Sequence, residues 1–391
     1  MAKKLSKLQI AQQKAEAAAK RTNQKISELG DHTGSLYTTL NTIQLLFDRI
    51  RNVPEENKLK YEKLKSIRVE WKQQAKEIEM EYKKAEAKAA GQGAAGIGAG
   101  VAVAAFGPTA AMGVATTFGV ASTGTAISSL SGAAATNAAL AWLGGGALTA
   151  GGGGMAAGSA FLALAGPVGW TIALAAGLSS VFLFFKTKGD KERLENIYTL
   201  ISNRDVKSYE LAIVELSERI SRIKDESEKL QKAITKIKTF GTDYKRMTES
   251  QQYELGAYVN LMESSTMLLV NPILGLQPKY TEQDYEKFCS DYEKLCNIEG
   301  ENNIISISTT ENMVNIFFKK YYETHKNIVI SMANLLYKIT LDEKDKKLLA
   351  KSLKKNKDFL SSLQISKQEF GVDDISMVEQ ALSHKYKCST Y

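Results

Sequence analysis

Cysteine occurs only three times in the 391 residues, at Cys289, Cys296 and Cys388, which is too few for a disulfide framework. On one helix Cys289 and Cys296 would lie two turns apart, about 10 Å by the helix rise, too far to bridge. Proline occurs five times, at Pro54, Pro108, Pro167, Pro272 and Pro278, leaving very long runs without a helix breaker. Scarce proline disfavours a loop-rich β fold and favours long helices. Met1 to Gly30 is a charged amphipathic pattern with no apolar core of the kind a Sec-type signal needs. The chain is therefore expected to start in a reducing cytosol, with a non-classical route of export left open.

Catalytic motifs are also lacking. His32, His325 and His384 are scattered, with no metal-ligand or triad spacing. The glycine clusters are not followed by Lys-Ser or Lys-Thr, which excludes a P-loop. Gly91-x-Gly93-x-x-Gly96 spells a dinucleotide fingerprint, but it follows a charged helical pattern rather than a strand. No acidic residue lies about twenty positions on, as the fingerprint requires. Phe317, Phe318, Tyr321 and Tyr322 read as core rather than as a binding box. No catalytic residue, cofactor or metal is expected, and the chain reads as a non-enzyme.

The most informative absence is of charge. From Ala89 to Phe185 there is no Asp, Glu, Lys, Arg or His, and this stretch holds 21 of the 29 glycines. A soluble core segment of that length would carry charges every few residues on its exposed face. The flanks are the opposite, rich in Lys and Glu and almost free of Gly and Pro. Net charge is +7 over residues 1–88, +3 over 186–250 and −2 over 251–391, so the basic excess brackets the uncharged stretch. This placement suits anionic lipid headgroups better than nucleic acid, which would call for lysines interleaved with stacking aromatics. The plain alternative is that the lysine-rich helices are simply solvated.

Four segments follow: an N-terminal helical part (1–88), a hydrophobic Gly/Ala-rich membrane segment (89–185), a coiled-coil helix (186–250) and a mainly helical C-terminal unit (251–391). In the first, Leu5, Leu8, Ile26, Leu29, Leu36, Leu40, Ile43, Leu46 and Ile50 recur at helical spacing, with a break expected at Gly30-Asp31-His32-Thr33-Gly34. Pro54 restarts the chain into a helix over residues 55–88, with Leu64, Ile67, Trp71, Ala75 and Ile78 on one face. In the third, steps of four and three link Tyr209, Ile213, Leu216, Ile220, Ile223, Ser227, Leu230, Ile234, Ile237, Gly241 and Tyr244. Leu216, Ile220, Ile223, Leu230, Ile234 and Ile237 form the seam of a coiled coil or long-helix bundle. In the fourth, Thr281 with Asp284 and Thr340 with Glu343 look like helix caps. Ile304 to Ser308 alternates like a short strand, Met313 to Ile339 reads as an apolar-aromatic helix, and Lys344 to Leu363 as a basic amphipathic one.

As straight helix the uncharged stretch would run about 145 Å, several times the ~30 Å hydrocarbon core, so it must fold back on itself. Lys83, Lys84 and Lys88 before it and Lys186, Lys188, Lys191 and Arg193 after it argue that both ends stay on one side, in contact with headgroups. Two or four crossings follow. Residues 161–185 hold twelve Leu, Ile, Val or Phe side chains, together about −5 kcal/mol of insertion free energy before the Gly, Ser and Thr penalties. Phe161, Leu164, Trp170, Leu174, Leu178, Phe182, Phe184 and Phe185 are the candidate insertion residues. Gly96 and Gly100, Gly124 with Ser128 and Gly132, Gly154 and Gly158, and Gly169 with Ala173 and Gly177 follow small-residue spacing that lets helix backbones approach closely. Thr116, Thr117, Thr123, Thr125, Ser128, Ser129, Thr136 and Asn137 either line a wet pore or bond back to their own helix carbonyls.

The run from Gly119 to Gly146, followed by Gly151-Gly-Gly-Gly-Met-Ala-Ala-Gly158, resembles the glycine-zipper modules of bacterial membrane-active effectors. The larger plan, long helices flanking one hydrophobic segment, is similar to α-helical pore-forming toxins of the cytolysin A and haemolysin BL type. That resemblance implies an all-α bundle with a soluble form and a membrane-inserted form, oligomerisation, and permeabilisation of a bilayer. Expected partners are an anionic lipid bilayer, further copies of the chain, and a partner protein as trigger or co-component, with no nucleic acid. A constitutive membrane-anchored coiled-coil scaffold is the alternative, and an enzyme with an unseen site in 251–391 the third reading.

Overall fold

The structure is a computed structural model that describes residues 6–91, 108–118, 185, 187–281, 283–291, 326, 328–330, 332–355 and 370–388, with the backbone alone over 81–91. Most of these residues are helical, and no strand occurs among them. The helices are α1 (Lys7–Phe47), α2 (Glu55–Gly91), α3 (Pro108–Phe118), α4 (Lys188–Ile237), α5 (Glu249–Val270), α6 (Glu343–Leu353) and α7 (Val372–Cys388). Residues 283–291, 328–330 and 332–336 are helical as well. The expected strand at 304–308 lies outside the described residues. Among those described, no helix is long and apolar enough to cross a membrane.

Contacts divide the chain into two compact units. One draws on Met1–Ala17, Ala141–Val206 and Pro278–Tyr391, the other on Ala18–Leu140 and Lys207–Gln277, so α1 and α4 contribute to both. The units cut across the four sequence segments, because each long helix packs on whatever lies beside it in space.

The second unit is built from two helical hairpins. In α1/α2 the pairing runs antiparallel: Phe47 stacks near Tyr61 and Tyr37 near Trp71, each at 5.4 Å between ring centroids. In α4/α5, Lys236 pairs with Glu254 and the Arg219 guanidinium donates to the Leu268 carbonyl, the same antiparallel sense. The two hairpin loops meet at an isolated bridge between Arg51 and Asp243. There Arg51 N–H donates to the Thr242 carbonyl at 2.9 Å and Asn52 Nδ2 to Asp243 Oδ1 at 2.9 Å. Gly241 (φ 82°) ends the turn after α4, and Asn52 (φ 59°) takes the left-handed region that asparagine tolerates best after glycine.

The expected faces are where the core lies. Leu64, Ile67, Trp71, Ala75 and Ile78 are buried on α2, and all six seam residues from Leu216 to Ile237 are buried on α4. The seam is satisfied within this one chain. Two expectations need correction. α1 runs unbroken through Gly30 to Gly34, because those glycines receive another helix rather than end their own. α6 is capped by Asp342, whose carboxylate accepts the Asp345 N–H at 2.8 Å, and not by Thr340, since the aspartate sits directly before the first turn. The Thr281–Asp284 cap does form, with Thr281 Oγ1 accepting the Asp284 N–H at 3.2 Å and Asp284 Oδ2 accepting the Thr281 N–H at 2.7 Å.

The first unit packs Leu194, Ile197 and Ile201 of α4 against Ile328, Met332, Leu335, Leu349, Leu353, Ile375 and Val378. Asn334 is buried with its amide fully used: Oδ1 accepts Lys279 and Tyr280 N–H, and Nδ2 donates to the Tyr280 and Ile330 carbonyls. Arg204 closes the end of the same helix by donating to the Leu335 carbonyl at 2.6 Å and the Tyr337 carbonyl at 2.9 Å.

Candidate functional site

The uncharged stretch contributes the last turn of α2 (residues 89–91), α3 and Phe185 to the described residues. The seat of α3 is therefore the place where the chain's most unusual segment meets its ordinary helical framework. Pro108 opens this helix at a position where a missing N–H costs nothing. Ala111, Gly113, Val114, Ala115, Thr116 and Thr117 are buried against α2 and α5 as well as α1.

Glycine sets the contact with α1. A Cβ on Gly30 would stand 1.8 Å from the Thr109 carbonyl oxygen, and one on Gly113 would stand 2.0 Å from the Ile26 carbonyl oxygen. Backbone thus touches backbone in both directions, which no residue with a side chain permits. One turn on, a Cβ on Gly34 would lie 3.2 Å from Met112 Sδ.

Polar ties complete the seat. Trp71, wholly buried, donates its indole N–H to Thr116 Oγ1 at 3.2 Å. Thr117 Oγ1 bonds back to the Gly113 carbonyl at 2.7 Å, and the Thr117 carbonyl accepts the Ile273 N–H at 2.7 Å and Gln277 Nε2 at 3.3 Å. Of the hydroxyls offered as pore lining, Thr116 and Thr117 are thus engaged inside this unit, and the others lie outside the described residues. Lys72 reaches Met112 Sδ at 3.7 Å and stands 5.5 Å over the Tyr37 ring, and burial, then Lys76, lowers its pKa.

Beside Trp71, one turn along α2, Arg68 is 1% exposed. Its Nη2 donates to Gln44 Oε1 at 2.6 Å and its Nη1 to Thr266 Oγ1 at 3.2 Å, while Gln44 Nε2 donates to Asp48 Oδ1 at 2.9 Å. Burial pulls the guanidinium down to about 10, still cationic at neutral pH. The apolar pattern of α2 omits Arg68, although its spacing marks it: it follows Leu64 by four residues and precedes Trp71 by three, on the buried face.

The expected insertion residues Phe161, Leu164, Trp170, Leu174, Leu178, Phe182 and Phe184, and the packing glycines Gly96, Gly100, Gly124, Gly132, Gly154, Gly158, Gly169 and Gly177, lie outside the described residues. Phe185 is buried in the core of the first unit, under the Lys351 ammonium at 5.2 Å. Among the expected headgroup lysines, Lys83, Lys84 and Lys88 lie on α2. Lys188 pairs with Glu192 at 3.8 Å, and Arg193 is held by Asp342 and Asp345 at 2.7 Å each. Arg193 is thus a tie between α4 and α6, a pairing across 149 residues that no local pattern reveals. Lys186 lies outside the described residues, and Lys191 is half-buried in the first turns of α4.

One chemical cluster was not legible in the sequence. His384 Nε2 lies 3.1 Å from Asp291 Oδ2 and 3.9 Å from Cys388 Sγ. A thiol–imidazole–carboxylate relay needs its two partners on opposite ring nitrogens, and here both face the same one. Among the described residues, no group of His, Cys, Asp and Glu could hold a metal ion. Comparison with protein-family models, with curated proteins and with solved structures found no match.

Proposed function

We propose that this chain is a membrane-inserting, oligomerising effector that permeabilises a lipid bilayer, and that the helical framework stores its uncharged stretch before insertion. The observation that carries the reading is the seat of α3. The longest described piece of a 97-residue stretch without a charge is held in a core by glycine against backbone. Such contacts draw on close approach and dispersion, which act in lipid as they do in water. A helix that meets α1 through the backbone at Gly113 can therefore exchange its partner on α1 for another copy of the stretch. The basic excess on both flanks supplies attraction to an anionic bilayer, and residues 161–185 supply the span best able to insert.

Dye release from anionic vesicles tests the proposal. Purified full-length chain is expected to empty them. The double variant Leu174→Lys/Leu178→Lys, which adds roughly 3 kcal/mol of insertion cost per lysine at a helix centre, is expected to lose most of that release. Release by the variant at the level of the unaltered chain, or none by the latter, contradicts the reading.

A further inference from the structure

We infer that the lysine face of α6 is the surface by which the first unit meets an anionic lipid bilayer, an inference that rests on the membrane role proposed above. Among the described residues, the ion pairs around α6 leave one group of lysines on a single face unengaged. Arg193 is committed to Asp342 and Asp345, Lys188 to Glu192, Lys344 to Asp190 and Lys346 to Glu343 and Glu379. Lys347, Lys351 and Lys354 have no ion pair among the described residues. Their spacing of four and three puts Lys347 and Lys351 on one face of α6 and continues that face to Lys354, which caps the helix C-terminus in helical backbone conformation. Lys355 stands beside them, and together with Gly371 and Val372 they line an open recess of about 220 Å³.

The opposite face of α6 is fixed. Leu348, Leu349 and Leu353 are buried in the core, so the lysines are presented by a helix that cannot roll. The surface is also continuous with the uncharged stretch. Phe185, its last residue, packs directly beneath Lys351, so the charged face begins where the chain leaves that stretch. A flat array of phosphates is the occupant this charge pattern fits. A single small phosphate would have to sit against the first turn of α7, where Asp373 and Asp374 already stand and Asp374 accepts the Gly371 N–H. A single-stranded nucleic acid would call for exposed aromatics among the lysines, and the aromatic at this face, Phe185, is buried.

The test is flotation of the full chain with vesicles of phosphatidylcholine alone or containing phosphatidylserine, with dye release read in parallel. Each lysine near an anionic surface contributes about fivefold in partitioning, so Lys347→Gln/Lys351→Gln/Lys354→Gln is expected to weaken binding to the anionic vesicles by roughly 100-fold. The matching Lys→Arg triple is expected to restore it. Unchanged flotation of the glutamine triple overturns the inference even if dye release persists. Lysine-dependent flotation without any dye release keeps this surface and instead contradicts the permeabilising function. Competition by inorganic phosphate or duplex DNA as effective as that by added anionic vesicles also overturns it, since the face would then be a general anion or nucleic-acid site.

Discussion

At His32, two residues from the glycine that admits α3, burial lowers the ring's affinity for a proton, and Lys224 of α4 lowers it further. Glu28 and Asp31 on α1 pull the other way. The net shift is downward from the ordinary value near 6.5. A folded state whose histidine titrates below the unfolded value binds fewer protons in that window. Stability is therefore full above about pH 6.5 and is lost as the pH falls through the folded value. The second unit is expected to melt at a lower temperature at about pH 5.5 than at pH 7.5, and His32→Gln is expected to shrink that difference. Equal pH dependence in both proteins would contradict the assignment. Histidine at this position is visible in the sequence, but its neighbour is not. Lys224 lies on a different long helix, and only the packing of α1 on α4 brings the two cations together.

Among the elements, what was legible followed periodicity, and what was not followed contact. The α2 face and the α4 seam were readable because burial of one stripe imposes a fixed spacing. The Thr281–Asp284 cap was readable because its partners are three residues apart. The Gly30–Gly34 pair reads as a break in the sequence because a helix end and a close helix crossing use the same letter, and the difference lies in α3, almost eighty residues away. Gly30→Ala is expected to displace α3 and to cost about 3 kcal/mol by overpacking, seen in denaturant unfolding and as faster proteolysis near residue 110. Gly256→Ala is the contrast: it lies within α5 with nothing within 4 Å of the added carbon, and should stabilise by about 0.5 to 1 kcal/mol. Equal effects at the two positions would remove the argument for a glycine-set seat.

For the molecule as a whole, sequence and structure agree on a helical fold among the described residues, and the sign of charge on each side of the uncharged stretch was readable by counting. The division into units was not, since α1 and α4 are each shared between both and no composition shift marks the division within them. The central claim is that the stretch is stored through α3 and acts when released. Met112 on α3 faces Gly34 on α1, close enough for cysteines at the two positions to be joined by a short reducible cross-linker. The decisive measurement is dye release from anionic vesicles by Gly34→Cys/Met112→Cys, made with Cys289, Cys296 and Cys388 changed to serine, before and after reduction. Storage predicts silence while α3 is tied to α1 and release once the tie is cut. Equal release in both states would show that α3 need not leave its seat, and would contradict the account.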